Sequence, residues 1–277
     1  MTPPLPTLKL RYTSISTIGG RSRQEDAHVA FVPPQPRPST YLDVAGVFAV
    51  ADGLGGHDNG HLASRAACEA LLDWPSAGSH YSDIFAASHR AARETGGQTT
   101  LMVCAVERTA LDGTPQWAAW FAGAGDCTAM VLRDTHADLK PKGLSSRYTR
   151  VFLTNRHGMY NRVTKCLGGY GRDGEADAIP EVVSFNVRPG DKILIVSDGF
   201  DEALGLDNND PLNAIESYRM LFRRPGAIGL KELEHFTRLC GSNDNATAIL
   251  VDVGVTAPKT VKAKATKAPA RRKRGTR

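Results

Sequence analysis

Short apolar runs broken by glycine- and proline-rich turns dominate the pattern of this 277-residue chain and predict a β-rich protein. An extended segment, Leu8–Thr17, leads into a turn at Gly19-Gly20 and the polar stretch Arg21–Ala27. Pro33-Pro34-Gln35-Pro36-Arg37-Pro38 reads as a loop between strands, too proline-rich for regular pairing. Val44–Ala51 reads as a buried strand. Two helices are predicted next: Gly60–Leu72, with Leu62, Ala66, Cys68 and Leu72 near one side, and Ser82–Glu94, with Ile84, Phe85, Ala87, Ser88 and Ala91 on its inner face. Thr99–Val106, Trp117–Ala122, Ala129–Arg133, Tyr148–Leu153, Glu181–Val187 and Lys192–Val196 are further strands. Helices over Leu212–Phe222 and Leu230–Leu239 precede a final strand, Ala246–Val253. Strands arrive in groups instead of alternating with helices, so an α+β fold of antiparallel sheets covered by helices is expected.

Four acidic signatures punctuate this pattern: Gln24-Glu25-Asp26, Ala51-Asp52-Gly53-Leu54-Gly55-Gly56-His57, Ser197-Asp198-Gly199 and Asn243-Asp244-Asn245. The middle two follow strand-like runs and the last directly precedes one, so carboxylates distant in sequence can converge at strand ends. Several carboxylates in one pocket repel one another and need protons or cations to neutralise them. An all-oxygen set, without the His/Cys spacing of a zinc site, points to magnesium or manganese. Two such ions about 3.5–4 Å apart suit phosphoester hydrolysis, with a bound water deprotonating near neutrality. Taken singly, Asp52-Gly53 is also a common hairpin pair, Ser197-Asp198-Gly199 a strand-to-helix cap, and Asn243-Asp244-Asn245 a polar turn.

Composition narrows the setting. With 41% apolar residues the chain can build one sizeable core, and no run of about 18 apolar residues offers a membrane span. The start, Met1-Thr2-Pro3-Pro4-Leu5-Pro6, lacks the basic and apolar regions of a secretory signal. The five cysteines are scattered and form no CxxC pair, which suits reduced thiols in the cytoplasm. The net charge of +5 is unevenly placed: nine of the 34 basic residues lie after Val253, where there is no acid, leaving 25 basic against 29 acidic residues in the body. A mildly acidic domain, residues 1–256, therefore carries a disordered basic tail, 257–277, able to meet nucleic acid or an acidic partner, or merely to solubilise. No aromatic residue is interleaved in that tail, so nothing suggests base stacking.

The same residues resemble the metal-dependent protein phosphatases, the type 2C serine/threonine family. Arg21-Ser22-Arg23-Gln24-Glu25-Asp26 resembles its first motif and Ala51–His57 its second. Ala124-Gly125-Asp126 resembles its Gly-Asp-Ser segment, and Val163-Thr164-Lys165-Cys166-Leu167-Gly168 its Leu-Thr-Arg-Ala-Leu-Gly segment. Gly190–Leu204 and Asn243–Val253 resemble the two late motifs, so the likeness runs over roughly residues 8–253. It implies an αββα sandwich of two antiparallel sheets flanked by helices, with metals in the cleft at one end. By the same likeness Asp52 bridges two ions, the Gly53 carbonyl binds one, and Asp198 and Asp244 complete the ligands of the other. Glu25 and Asp26 hold metal-bound waters, Arg21 grips the substrate phosphate, and Asp126 with Asp198 holds a third, weaker ion.

The implied activity is hydrolysis of phosphoserine or phosphothreonine in proteins, by a monomeric, cytoplasmic signalling enzyme of bacterial style using Mn²⁺ or Mg²⁺. A phosphoprotein-binding pseudophosphatase and a small-molecule or nucleotide phosphohydrolase are the alternatives. Arg23 competes with Arg21 for the phosphate, although spacing to Glu25-Asp26 favours Arg21. His57 is a candidate general acid for the leaving alkoxide or a hydrogen-bonding residue of the Gly-rich turn; the other histidines are expected at the surface. Cys166 beside Lys165 is either a redox-sensitive thiol or a small buried apolar residue. Departures from the family pattern are Gln98 before Thr99-Thr100, Cys127-Thr128 for Ser-Arg, and Asn155-Arg156-His157 for an Asp-containing stretch. Only a few residues separate His157 from Asn161, where relatives carry a helical flap.

Overall fold

A computed structural model describes residues 8–33, 37–38, 43–55, 59–73, 81–111, 114–134, 148–159, 162–169, 179–200, 230–232, 234–235, 238 and 243–255. Two antiparallel sheets carry the fold. The first orders β1 (Leu8–Thr17), β13 (Ala246–Val255), β12 (Lys192–Val196), β7 (Thr128–Asp134) and β8 (Tyr148–Leu153). The second orders β11 (Glu181–Val187), β6 (Thr114–Ala124), β5 (Leu101–Leu111), β4 (Asp43–Asp52) and β2 (Asp26–Phe31), with β3 (Arg37–Pro38) added beside β4. Among the described residues between β4 and β5 lie α1 (Gly60–Glu69), a 3-10 turn, Ala70–Asp73, and α2 (Tyr81–Glu94).

Alternation along the strands divides the core into layers. Phe48 and Val50 of β4 and Met102, Cys104 and Val106 of β5 point between the sheets, meeting Ile193, Ile195, Ile249 and Val251 from the first sheet. Their neighbours Val47, Ala49, Ala51, Leu101 and Val103 face the other way, onto Ala63, Ala67 and Leu71 and onto Ile84 and Phe85 of α2. On the outer face of the first sheet, Met130, Leu132, Leu194, Val196, Ala248 and Leu250 pack with Phe200 and Leu230. Leu230 and the other described residues from there to Arg238 are helical. The αββα layering that the family resemblance implies is therefore the fold.

Several local expectations change. The buried stripe of α1 is Gly60, Ala63, Ser64, Ala67 and Cys68, while Leu62 and, in the following turn, Leu72 are 40% and 51% exposed. Small residues face the sheet because they let helix and sheet approach closely. On α2 the buried set is Ile84, Phe85, Ser88, His89 and Ala92, with Ala87 and Ala91 only half-buried. His89 is thus a core histidine, its Nδ1 accepting from the Gly168 N–H at 3.3 Å, contrary to the surface expected for it. Part of the proline loop, Arg37–Pro38, pairs with Val44 and Asp43. β2, not among the expected strands, begins at the end of the Arg21–Ala27 stretch and lies at the sheet edge, with Asp26 buried and Ala27, Val29, Ala30 and Phe31 half-buried. β5 and β6 run past their expected ends through polar Glu107, Arg108 and Thr109, because pairing from Leu101↔Ala124 to Leu111↔Thr114 stabilises them. Where a flap was expected to be missing stands a two-stranded hairpin, β9 (Gly158–Met159) and β10 (Arg162–Val163). The expected helix Leu212–Phe222, His57, Cys240 and the basic tail lie outside the described residues. Among those described, no helix is long and apolar enough to cross a membrane.

Candidate active site

Strand order places the acidic signatures at one end of the sandwich. In the first sheet β13, β12 and β7 are adjacent and antiparallel. Asp244 enters β13, Asp198 leaves β12 and Asp126 enters β7, so all three sit at the same edge. In the second sheet Asp26 opens β2 and Asp52 closes β4, and the two are direct cross-strand partners. The sheets bring these ends together: Ser197 on the first donates its hydroxyl to the Asp26 carboxylate of the second at 2.8 Å.

Backbone contacts too close for a side chain hold the carriers in place. Gly53 bridges to Thr99, and its N–H donates to the Glu25 carbonyl at 3.1 Å. A Cβ on Gly53 would lie 2.4 Å from the Gly60 carbonyl oxygen, so the residue serves close packing and not a hairpin turn. Thr100 ties into the Asp52 backbone twice, its N–H donating to the Asp52 carbonyl at 2.8 Å and its hydroxyl accepting from the Asp52 N–H at 3.2 Å. Asn245 clamps the other side: Oδ1 accepts from the Glu25 N–H at 2.8 Å, and Nδ2 donates to the Ile18 and Arg23 carbonyls at 2.8 and 3.0 Å. Gly19, at φ +61°, lies where a Cβ would be 2.0 Å from the Asp244 carbonyl oxygen. Gly19→Ala is therefore expected to cost about 2–4 kcal/mol, from left-handed strain plus displacement of the Asp244 loop. Chemical denaturation checks this; a loss below about 0.5 kcal/mol would mean the loop yields freely.

The electrostatics are those of crowded acids. Burial, then repulsion from Asp26 and Asp198, holds the Asp52 carboxyl well above the usual carboxylate range. Burial pushes Asp198 up to about 7 and Asp26 up to about 6, the latter partly offset by hydrogen bonds from Ser197 and Thr247. Asp126 is also raised, mainly by burial. Asp52 is crowded by both Asp26 and Asp198, and such crowding is relieved by protons or by a cation. One oxygen each of Asp26, Asp126 and Asp198 is buried without a hydrogen-bond partner. Arg21, half exposed, donates Nη2 to Asp244 Oδ2 at 2.5 Å, and the bond raises its guanidinium further. Arg23 turns away to His61 Nδ1 on α1, at 3.2 Å.

Orphaned carboxylate oxygens, mutual repulsion and an all-oxygen donor set suit a hard divalent cation. Among the described residues no three acidic, His or Cys side chains already stand as a ready-made ligand set. Asp244 is taken by Arg21, and Asp52 by its acidic neighbours. Thr100, Ser197, Asn245 and Thr247, which position the acids, were not singled out from sequence. Asn245, Ser197 and Thr247 lie within or beside the acidic signatures, and that adjacency was the available signal.

Residues 39–236 match the sequence profile of the family described as Protein phosphatase 2C. No curated protein matches the chain. Among solved structures, PppA, a key regulatory component of T6SS in Pseudomonas aeruginosa, superposes with a TM-score of 0.61 at 21% identity, over 88% of this chain and 97% of that one. The catalytic domain of the serine/threonine phosphatase PstP in complex with two manganese ions gives 0.58 at 22% identity, over 90% and 100%. Serine/threonine phosphatase Stp1 from Staphylococcus aureus gives 0.60 at 19%, over 90% and 96%. With the profile spanning most of the chain and the acids gathered at one end of an αββα sandwich, the chain belongs to the protein phosphatase 2C family of metal-dependent serine/threonine phosphatases.

Proposed function

We propose that this protein hydrolyses phosphoserine and phosphothreonine in proteins, using two Mn²⁺ or Mg²⁺ ions held by Asp52, the Gly53 carbonyl, Asp198 and Asp244, with a third, weaker ion at Asp126. The observation that carries the reading is the convergence of Asp26, Asp52, Asp126, Asp198 and Asp244, with Arg21 beside them, from five strand ends of two sheets. When bound, such ions neutralise the carboxylates and supply a hydroxide nucleophile near neutrality. The chain's own residues do the rest. Glu25 and Asp26 would hold the ions' water, and the Ser197 hydroxyl fixes the buried Asp26 carboxylate. Arg21 now pairs with Asp244; a cation held by Asp244 would leave its planar fork available for the phosphoryl oxygens. His57 remains the candidate donor of a proton to the leaving oxygen.

A reducing, cytoplasmic setting belongs to the same reading, in which the buried Cys68, Cys104 and Cys127 stay as thiols. Partner binding through the basic tail, to nucleic acid or an acidic protein, belongs to the same reading, as does a monomeric state. The test is turnover of a phosphothreonine peptide and of an aryl phosphate, with manganese and then with chelator. Activity is expected to vanish on complete metal removal and return with manganese. Turnover that survives metal removal sinks the reading. Peptide binding without hydrolysis at saturating manganese would make the protein a pseudophosphatase, and preference for free nucleotides would make it a small-molecule enzyme.

A further inference from the structure

The segment Asn155–His157, which departs from the family pattern, grips the turn that carries Asp126. The His157 N–H donates to the Gly125 carbonyl at 2.7 Å, and its ring Nδ1 accepts from the Gly125 N–H at 3.3 Å. Both main-chain polar atoms of Gly125 are thereby held by one residue. Because Nδ1 accepts, the ring proton lies on Nε2, which donates to Glu181 Oε2 at 3.0 Å. The other oxygen of Glu181 accepts from Asn155 Nδ2 at 2.7 Å, so the carboxylate is fixed from two sides. Arg156 Nε donates to the Asp126 carbonyl at 3.2 Å. The ring is nearly buried, at 10% side-chain exposure, beside a cavity of about 10 Å³ lined by Met102, Phe121, Thr154 and Val183.

The opposite side of the turn is fixed as well. Gly125 is at φ +111°, and a Cβ there would lie 2.4 Å from Thr100 Cβ, on the residue that holds the Asp52 backbone. The turn is thus held from both sides, and it carries a buried, unpartnered carboxylate oxygen of Asp126 whose charge acts on Asp52. A flexible turn at φ > 0 with no ring to hold its amide would sample other orientations.

We infer that His157, oriented by Glu181, is a positioning residue that aims the Asp126 carboxylate and so sets the affinity of the site for a divalent cation at Asp126. The inference rests on the metal reading of Asp126 given above. Its consequence for this chain is that the β11 edge strand, through Glu181, is wired to the metal end of the opposite sheet.

Calorimetric titration of the full-length metal-free protein with Mn²⁺, in the wild-type and Asp126→Ala backgrounds, tests it. His157→Leu is expected to weaken the weakest binding phase about five- to tenfold, the worth of one lost buried hydrogen bond. His157→Asn, whose side-chain oxygen can stand where Nδ1 accepts, is expected to recover most of that loss. Glu181→Gln should shift the phase in the same direction by less. In the Asp126→Ala background none of these changes should move the isotherm further, which a merely structural role would not produce. The manganese concentration for half-maximal turnover should follow the calorimetric shift. Equal losses in both backgrounds, or no loss in the wild-type background, overturn the inference and leave the metal reading standing. An unchanged isotherm for Asp126→Ala itself overturns both. Should His157→Leu fail to fold, Glu181→Gln in the two backgrounds carries the same comparison.

Discussion

Asp52→Asn is expected to lower metal-dependent turnover by on the order of 10³-fold while making the metal-free protein more stable. The two effects have one cause. Burial and the charges of Asp26, Asp198 and Asp126 all oppose the charge on Asp52. Asparagine keeps the size and one carbonyl oxygen but removes the charge. A cation that needs that charge binds poorly, whereas the crowded metal-free cluster is relieved. Relief of about 2 kcal/mol would raise the melting temperature by about 4–8 °C. The measurement is a melt in chelator beside a manganese titration of activity. Turnover within about tenfold of wild type, or a lower metal-free melting temperature, contradicts the central place given to Asp52.

Metal-free protein is expected to lose stability as pH rises from about 4 to about 8, by on the order of 5 kcal/mol, and manganese is expected to restore it. The sign follows from the direction of the shifts. Asp198 and Asp26 titrate at about 7 and about 6 in the folded protein, above the 3.8 of a free carboxyl. The folded state therefore holds protons that the unfolded chain has released, and stability is full below about pH 4 for these groups and lost through about pH 6–7. Ordinary paired carboxylates push the other way, but they titrate below this window. A divalent ion replaces the protons, so it should bind more tightly as pH rises and should flatten the curve. At a hundredfold excess over its dissociation constant, manganese contributes about 2.7 kcal/mol. Chemical denaturation at about pH 5 and about pH 8, with chelator and with manganese, reads all four corners. A metal-free protein more stable at the higher pH than at the lower would show that the crowded carboxyls do not hold protons in the folded state.

The site was legible in part because its chemistry is written in contiguous motifs. Asp52-Gly53 and Ser197-Asp198-Gly199 end apolar runs, and Asn243-Asp244-Asn245 begins one, so strand ends could be matched with acids before any pairing was known. The helix faces were less legible. Leu62 and Leu72 are large and apolar, yet the sheet accepts Ala63, Ser64 and Ala67 instead, because close packing favours small side chains. β2 escaped the pattern for a different reason: at the sheet edge it half-buries Ala27, Val29, Ala30 and Phe31 together, so its burial does not alternate.

From the sequence alone came the α+β class, the strand-rich order of elements, the oxygen-only donor set and the separation of an acidic body from a basic tail. Those properties are local: they depend on period, residue type and spacing. Tertiary structure alone decided that Asp26 faces Asp52 across one sheet while Asp126, Asp198 and Asp244 share an edge of the other. It also decided that Arg21 meets Asp244 while Arg23 meets His61, and that His157 and Glu181 hold the Asp126 turn. These contacts join residues 24 to 223 positions apart, and their geometry is set by which strands pair and in what register. Register is a property of the folded sheets, fixed by burying both faces at once, and no single stretch of the chain contains it.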